Sequence, residues 1–324
     1  MPPNINHYQA EGPINRLLLR VRPAEGDTMR YCRNLSGPVL DIALSVLLLF
    51  STANAEEPGS LNGGRLTTLP IERLVLPLGK SGQEMEVVVY APHTYDPAQS
   101  YPLLVVLDAD PLLGLLKTIN FLWVEEGKVE PVILVGLPFG SSAGEIWTNR
   151  SYYLLPRSVG VIDYYDAQIP LNNGGGASEL DGFLQEELLP RVLKQYSVDR
   201  ERVGLVGFSM GGLFAAWHLA THPGVFRDYI IISPPLAPPF VGPEFENATQ
   251  SLRRRGFDRL TRIYASYAED DLAQVRSGAV LWIDAFDAAN NANLMFRGEM
   301  IGGLRHDSGA IPALINGYEF LYAK

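Results

Sequence analysis

The chain has 324 residues, 47% of them hydrophobic, with 31 glycines and 24 prolines, the balance expected of one large α/β globular domain with many turns. Its formal net charge is −10, and the basic cluster Arg253-Arg254-Arg255 reads as a solvated helix face. That balance argues against a nucleic-acid partner and gives no electrostatic pull toward an anionic membrane.

Residues 1–55 read as a leader. Arg30 and Arg33 follow Met29, an apolar run covers 39–50, and Ser51-Thr52-Ala53-Asn54-Ala55 follows. These are the charged, hydrophobic and small-residue parts of a secretory signal, with cleavage expected after Ala55. Residues 1–28 carry no pattern, so Met29 is the expected start of synthesis. The apolar run is shorter than the roughly 20 residues that span a bilayer, and it contains Asp41. Export to the periplasm or the medium is expected, with no stable membrane insertion after cleavage; an uncleaved membrane anchor is the alternative. The lone cysteine, Cys32, lies in this leader, so no disulfide or cysteine metal site is expected in the remaining domain, 56–324.

Residues 71–78 and 84–90 alternate as paired strands around the turn Gly79-Lys80-Ser81-Gly82, and Pro77 suits an edge strand. Residues 103–107, 131–136, 203–208 and 229–232 are continuous apolar runs of the kind buried on both faces of a sheet. Helices are expected at 112–126, 177–196, 213–220, 279–289 and 311–323, with further strands at 261–266 and 294–300. Strands alternating with helices imply an α/β fold with a mostly parallel twisted sheet and helices on both faces. Two stretches, 141–176 and 234–256, read as loop insertions over a site.

The run 203–208 ends in Gly207-Phe208-Ser209-Met210-Gly211, a serine between glycines at minus two and plus two on a strand-to-helix turn. This is the nucleophile elbow of the α/β-hydrolase fold. Side chains at both glycine positions are expected to collide with neighbouring backbone. The following amide, that of Met210, is placed where an oxyanion would form. A serine hydroxyl needs a base, and in this fold the chain order is serine, acid, histidine. Of five histidines, His7 is in the leader, His93 precedes the serine, and His218 and His222 lie along the helix leaving the elbow, where packing and helix termination before Pro223 explain them. His306 remains, expected on a loop between the last strand and the last helix. The acid falls in Glu269-Asp270-Asp271, which spacing alone does not separate. The second oxyanion donor belongs just after the third strand, at the Asp110 amide. Asp108 and Asp110 lack the histidine or spaced carboxylates of a metal site, so neither metal nor other cofactor is expected.

From about residue 90 onward the chain resembles the esterase family of α/β-hydrolases that includes esterase D, feruloyl esterases and enterochelin-type siderophore esterases. The resemblance is carried by 101–108, by Phe183-Leu184-Gln185-Glu186-Glu187-Leu188-Leu189-Pro190, by 207–212, and by His306 with its trailing helix. In that family the acid lies three residues after a strand-ending glycine. Ala268 occupies the glycine position, which points to Asp271. Siderophore-esterase-like members also carry an arginine, two residues, an aspartate, one residue, then threonine and proline. Arg150 and Pro156 agree, while Tyr153 replaces the aspartate and Leu155 the threonine. Arg150 and Tyr153 are therefore the implied substrate-binding residues, the guanidinium facing an anionic or catecholate group. The resemblance implies an exported serine esterase acting on a small-molecule carboxylic ester, of siderophore or feruloyl type. An acyltransferase on the same residues, or a non-catalytic binding protein on the same fold, are the alternatives.

Overall fold

The computed structural model describes residues 71–78, 83–289 and 291–324. The leader, its cleavage site and the turn at 79–82 lie outside the described residues. In chain order the strands and helices are β1 (Ile71–Leu78), β2 (Gln83–Tyr90), β3 (Tyr101–Val106), α1 (Ala109–Glu125), β4 (Ile133–Gly136), α2 (Ala143–Tyr153), β5 (Gly160–Tyr164), β6 (Ala167–Leu171) and α3 (Ala177–Phe183). A π turn (Leu184–Leu188) leads into α4 (Leu189–Gln195), β7 (Val198–Phe208), α5 (Met210–Thr221), β8 (Asp228–Ile232), α6 (Pro243–Arg255), β9 (Thr261–Asp270), α7 (Ala273–Asp287), β10 (Leu294–Arg305) and α8 (His306–Tyr322). No helix among the described residues is long and apolar enough to cross a membrane.

Eight strands form one sheet in the order β1-β2-β4-β3-β7-β8-β9-β10. Only β2 runs against its neighbours, pairing antiparallel with both β1 and β4. The other contacts, from β4 through β10, are parallel. Proline-bearing β1 is an edge strand, where a missing N–H costs no ladder bond. Alternate strand residues feed two cores, because successive side chains leave a strand on opposite faces. Val89, Leu103, Val105, Leu205 and Ile231 join one core with helices α3 to α7. Leu104, Val106, Leu134, Val206 and Ile230 join the other with α1 and α8.

Three expectations are corrected. The helix expected over 177–196 is broken by the π turn Leu184–Leu188 just before Pro190; proline lacks an N–H and its ring crowds the carbonyl four residues back, which a widened turn relieves. The insertion at 141–176 contains a helix and a two-stranded hairpin, β5-β6, and that at 234–256 contains α6, whose last turn carries Arg253, Arg254 and Arg255, all exposed. Finally, β10 runs past the expected end at 300 through Gly302-Gly303 to Arg305, with a shift of register against β9 between Ile301 and Arg305. His306 is the first residue of α8 and follows the strand directly, with no loop between them. A bulge in place of a loop fixes the direction in which His306 leaves the sheet.

Candidate active site

The elbow is built from close backbone approaches. Ser209 has φ 57° and ψ −115°, and its amide donates to the Ile232 carbonyl at 2.9 Å, tying the turn to the end of β8. A non-glycine residue at positive φ stores about 1–3 kcal/mol of strain, which only a rigid surround sustains. A Cβ at Gly207 would lie 2.2 Å from the Gly211 carbonyl carbon and oxygen, the backbone collision expected for it. At Gly211 the obstacle differs: its Cβ would lie 2.0 Å from Oδ2 of Asp108, a side chain rather than backbone.

Asp108 is the site residue whose role was not read from the sequence. It is fully buried at the end of β3. Oδ2 accepts the Phe208 amide at 2.7 Å, and Oδ1 accepts from Arg150 Nε at 2.9 Å, with Nη2 2.6 Å away in the same ion pair. Arg150 Nη2 also reaches the Phe208 carbonyl at 3.4 Å. Burial pushes the Asp108 carboxyl up, against the opposing pull of Arg150 and the Phe208 amide. A buried ion pair from α2 thus braces the residue just before the serine.

Ser209, His306 and Asp271 come together. His306 Nε2 is 2.9 Å from Ser209 Oγ, and His306 Nδ1 is 2.5 Å from Asp271 Oδ1. His306 and Asp271 are both buried. Asp271 also accepts the Ala268 amide on Oδ2 at 3.0 Å and the Leu272 amide on Oδ1 at 2.8 Å. Burial alone would raise its pKa, but hydrogen bonds and charge from His306, with the Ala268 amide and the Ser233 hydroxyl, outweigh it and hold the carboxyl below its ordinary value. The three carboxylates at 269–271 separate by environment: Glu269 accepts the Gly303 amide at 2.7 Å across the β10 bulge, Asp270 is exposed, and Asp271 faces the imidazole.

The β5-β6 hairpin closes over the histidine. Tyr165 Oη accepts the His306 amide at 2.9 Å, an N–H that the first turn of α8 leaves without an intrahelical acceptor. Tyr164 donates to Asp307 Oδ1 at 2.7 Å and sets its ring edge-on to His306, centroids 6.0 Å apart. The Arg305 guanidinium stacks 3.8 Å from the Tyr165 ring. Together with Trp147, Arg150 and Leu272, the hairpin narrows the cleft over Ser209 to ≈ 70 Å³.

Of the remaining expected residues, Met210 and Arg150 line the serine cleft and Asp110 and Tyr153 do not. Met210 opens α5 and lines the cleft, so its amide is at the serine. Asp110 and Tyr153 both line a separate cleft with Met85 and Lys117. The Asp110 carboxylate accepts the Phe139 amide at 3.1 Å, and Tyr153 is buried, stacked on Phe139 and donating to Gln83 at 3.4 Å. Asp110 is the second residue of α1, an amide position with no intrahelical acceptor. Arg150 lines the serine cleft, but its guanidinium is engaged by Asp108.

A mixed sheet with one reversed strand and a strained serine turn between its fifth strand in space and the next helix defines an α/β-hydrolase fold. Residues 79–297 match the family described as "Putative esterase", and the chain belongs to it. Ferri-bacillibactin esterase of Bacillus subtilis is 26% identical over 179 residues, 53% of this chain and 62% of that protein. Apo-salmochelin esterase of Escherichia coli is 27% identical over 148 residues, 45% of each chain. The chain thus matches about half the length of these curated relatives. The BES protein from Bacillus cereus superposes with a TM-score of 0.68 at 24% identity, over 81% of this chain and 99% of that one. Siderophore hydrolase EstA from Aspergillus nidulans does so at 0.65 and 18%, over 83% and 98%. At these identities the structural likeness speaks for the fold.

Proposed function

We propose that the protein is an exported serine hydrolase of carboxylic esters. The observation that carries this is the unbroken line from Ser209 Oγ through His306 to Asp271, at 2.9 and 2.5 Å, on a strained elbow. Ser209 Oγ attacks the ester carbonyl carbon while His306 Nε2 accepts its proton. Asp271 holds Nδ1–H toward itself, keeping the lone pair on Nε2 and stabilising the imidazolium. The Met210 amide receives the developing oxyanion. Collapse returns the proton to the departing alkoxide oxygen. Water, deprotonated by the same histidine, then releases the acid from the acyl-serine.

Siderophore-type esters are the first substrates to examine. Both curated relatives carry such substrates in their names, and Arg150 and Pro156 keep two positions of the corresponding segment. The narrow cleft takes in the ester group, leaving the bulk of such a substrate outside, against the hairpin. Export is proposed on the leader at 29–55.

The test is labelling by a fluorophosphonate together with hydrolysis of p-nitrophenyl, feruloyl and cyclic catecholate esters. Wild type should label and turn over, and Ser209→Ala should do neither while keeping its circular dichroism. Turnover retained in Ser209→Ala would overturn the nucleophile. An exported product that does not begin at Glu56 would overturn the cleavage site.

A further inference from the structure

Away from the serine, α5 carries His218 and is capped by His222 one helical turn later, and both meet a carboxylate from α3. We propose that Asp181, His218 and His222 form a binding site for a divalent cation of the zinc class, which clamps α3 to the C-terminal end of the helix that begins at the elbow. One ligand atom from each residue lies within 4.8 Å of the others.

The distances match the chemistry. His218 Nε2 is 3.1 Å from Asp181 Oδ1, and His222 Nδ1 is 3.5 Å from Asp181 Oδ2. Tetrahedral ligands at about 2.0–2.1 Å from zinc are themselves about 3.3 Å apart, so each carboxylate oxygen already stands near ligand spacing from one histidine nitrogen. The histidine nitrogens lie within 4.8 Å of one another, and the His222 side chain, 41% exposed, has room to adjust.

A hydrogen-bonded cluster would account for the group less well. His218 is fully buried, yet its Nε2 forms no aligned hydrogen bond, despite standing 3.1 Å from a carboxylate oxygen. A nitrogen buried this deeply normally has a partner. A lone pair directed between the three groups, rather than an N–H directed at Asp181, gives it one. At His222, Nδ1 is 3.1 Å from Thr221 Oγ1, but that hydroxyl donates its single proton to the Trp217 carbonyl at 2.8 Å. Thr221 therefore gives no proton to Nδ1, whose lone pair a cation can take when the ring proton sits on Nε2.

Partners that would orient the ligands are in place. Tyr229 Oη lies 3.3 Å from His218 Nδ1, and Gln185 donates to Asp181 Oδ1 at 2.8 Å. Such contacts fix ring tautomer and carboxylate direction at metal centres. Three protein ligands leave a fourth position, which faces solvent beside His222 and takes water. His218 lies nine residues beyond Ser209, about 13 Å along the helix axis. The cation is thus a strap for the elbow helix and takes no part in ester chemistry.

The experiment is zinc titration of the untagged, chelator-stripped full chain by calorimetry, with melting temperature measured with and without zinc. The same measurements are made on His222→Gln, whose exposed side chain can change without opening the core, and on His93→Gln, a histidine outside the cluster. Wild type and His93→Gln should bind one zinc per chain and melt higher with it. His222→Gln should lose that binding and the shift, and Tyr229→Phe should weaken binding about tenfold. Cobalt substituted for zinc should give the intense visible absorption of a four-coordinate ion, absent in His222→Gln. Failure of wild type to bind zinc stoichiometrically, or binding undiminished in His222→Gln, would overturn the site.

Discussion

Replacing Arg150 by methionine separates two roles that the sequence lets one residue hold: capture of substrate, and support of the nucleophile from behind. Asp108 is fully buried, and Arg150 is 12% exposed in its side chain. The guanidinium supplies one hydrogen bond to the carboxylate and a second ion-pair contact at 2.6 Å, and the Phe208 amide supplies the other hydrogen bond. Removing one member of a buried ion pair costs about 3–5 kcal/mol, because the other charge is left without compensation. The loss should depend on pH in a defined direction. The folded pKa of Asp108 already lies above its ordinary value because of burial, and Arg150 is the largest influence holding it down. Without Arg150 it rises further. A raised folded pKa means that the native state retains a proton that the unfolded chain gives up. Stability is then fully present below the unfolded value of about 3.9 and is lost as pH rises through the folded one, by up to about 1.4 kcal/mol per pH unit.

Urea unfolding of wild type, Arg150→Met and Asp108→Asn/Arg150→Met at pH 5 and pH 8 measures this. The single variant should be destabilised relative to wild type more at pH 8 than at pH 5, and the double variant should regain most of the loss at pH 8. Unfolding of Arg150→Met at wild-type urea concentrations at both pH values, with KM raised and kcat unchanged, would refute the reasoning and return Arg150 to substrate binding.

Asp271→Asn should lower kcat about 10³–10⁴-fold, with far smaller effects from Asp270→Asn and Glu269→Gln, since only Asp271 meets the imidazole; steady-state kinetics on one ester ranks the three. Because the Asp271 carboxyl is held below its ordinary value, it stabilises the fold above about pH 4 and that stability is lost as pH falls. The unfolding free energies of wild type and Asp271→Asn should therefore converge as pH falls from 5 toward 2. Gly211→Ala drives a Cβ to 2.0 Å from the Asp108 carboxylate and should cost about 1–3 kcal/mol along with most turnover, read by thermal melts and ester assay. Tyr165→Phe removes the acceptor of the His306 amide, and stopped or slowed turnover of about tenfold in kcat, with KM little changed, is expected.

The strands were legible because a sheet buried on both faces writes continuous apolar runs, and 103–107, 203–208 and 229–232 sit within one to five residues of their observed bounds. The less legible ends share a cause. Gly302-Gly303 reads as a strand stop, yet the chain absorbs it as a bulge, with Gly303 at φ 66° and its amide held by Glu269. Pro312 reads as the first turn of a helix, yet α8 starts at His306 and carries the proline in its interior. The two signals flank His306, Gly302-Gly303 before it and Pro312 after it, and together they make a directly joined strand and helix read as a loop. The insertion at 141–176 was misread differently. Its strands are five residues each, and the contacts that anchor it, Tyr164 on Asp307 and Tyr165 on His306, come from residues 143 and 141 positions away in the chain.

Ser209 and His306 are legible because the fold constrains their order along the chain, which leaves the acid among Glu269, Asp270 and Asp271; the family spacing from Ala268 points to Asp271. Asp108 and Arg150 stand 42 residues apart with no such constraint. Read separately, the aspartate belongs to an acidic pair without the histidine of a metal site, and the arginine to a substrate-binding segment. What a sequence lacks is burial. An exposed Arg150 has its fork of donors free for a ligand, whereas one facing a fully buried carboxylate has two of them committed before any substrate arrives. A trace was nonetheless present: Asp108 directly follows the continuous apolar run of β3, and an acid at the end of a doubly buried strand needs a partner. Gly211 required the space that this carboxylate fills. The glycine after the serine and the arginine 59 residues before it are therefore two sides of one packing problem, solved around Asp108.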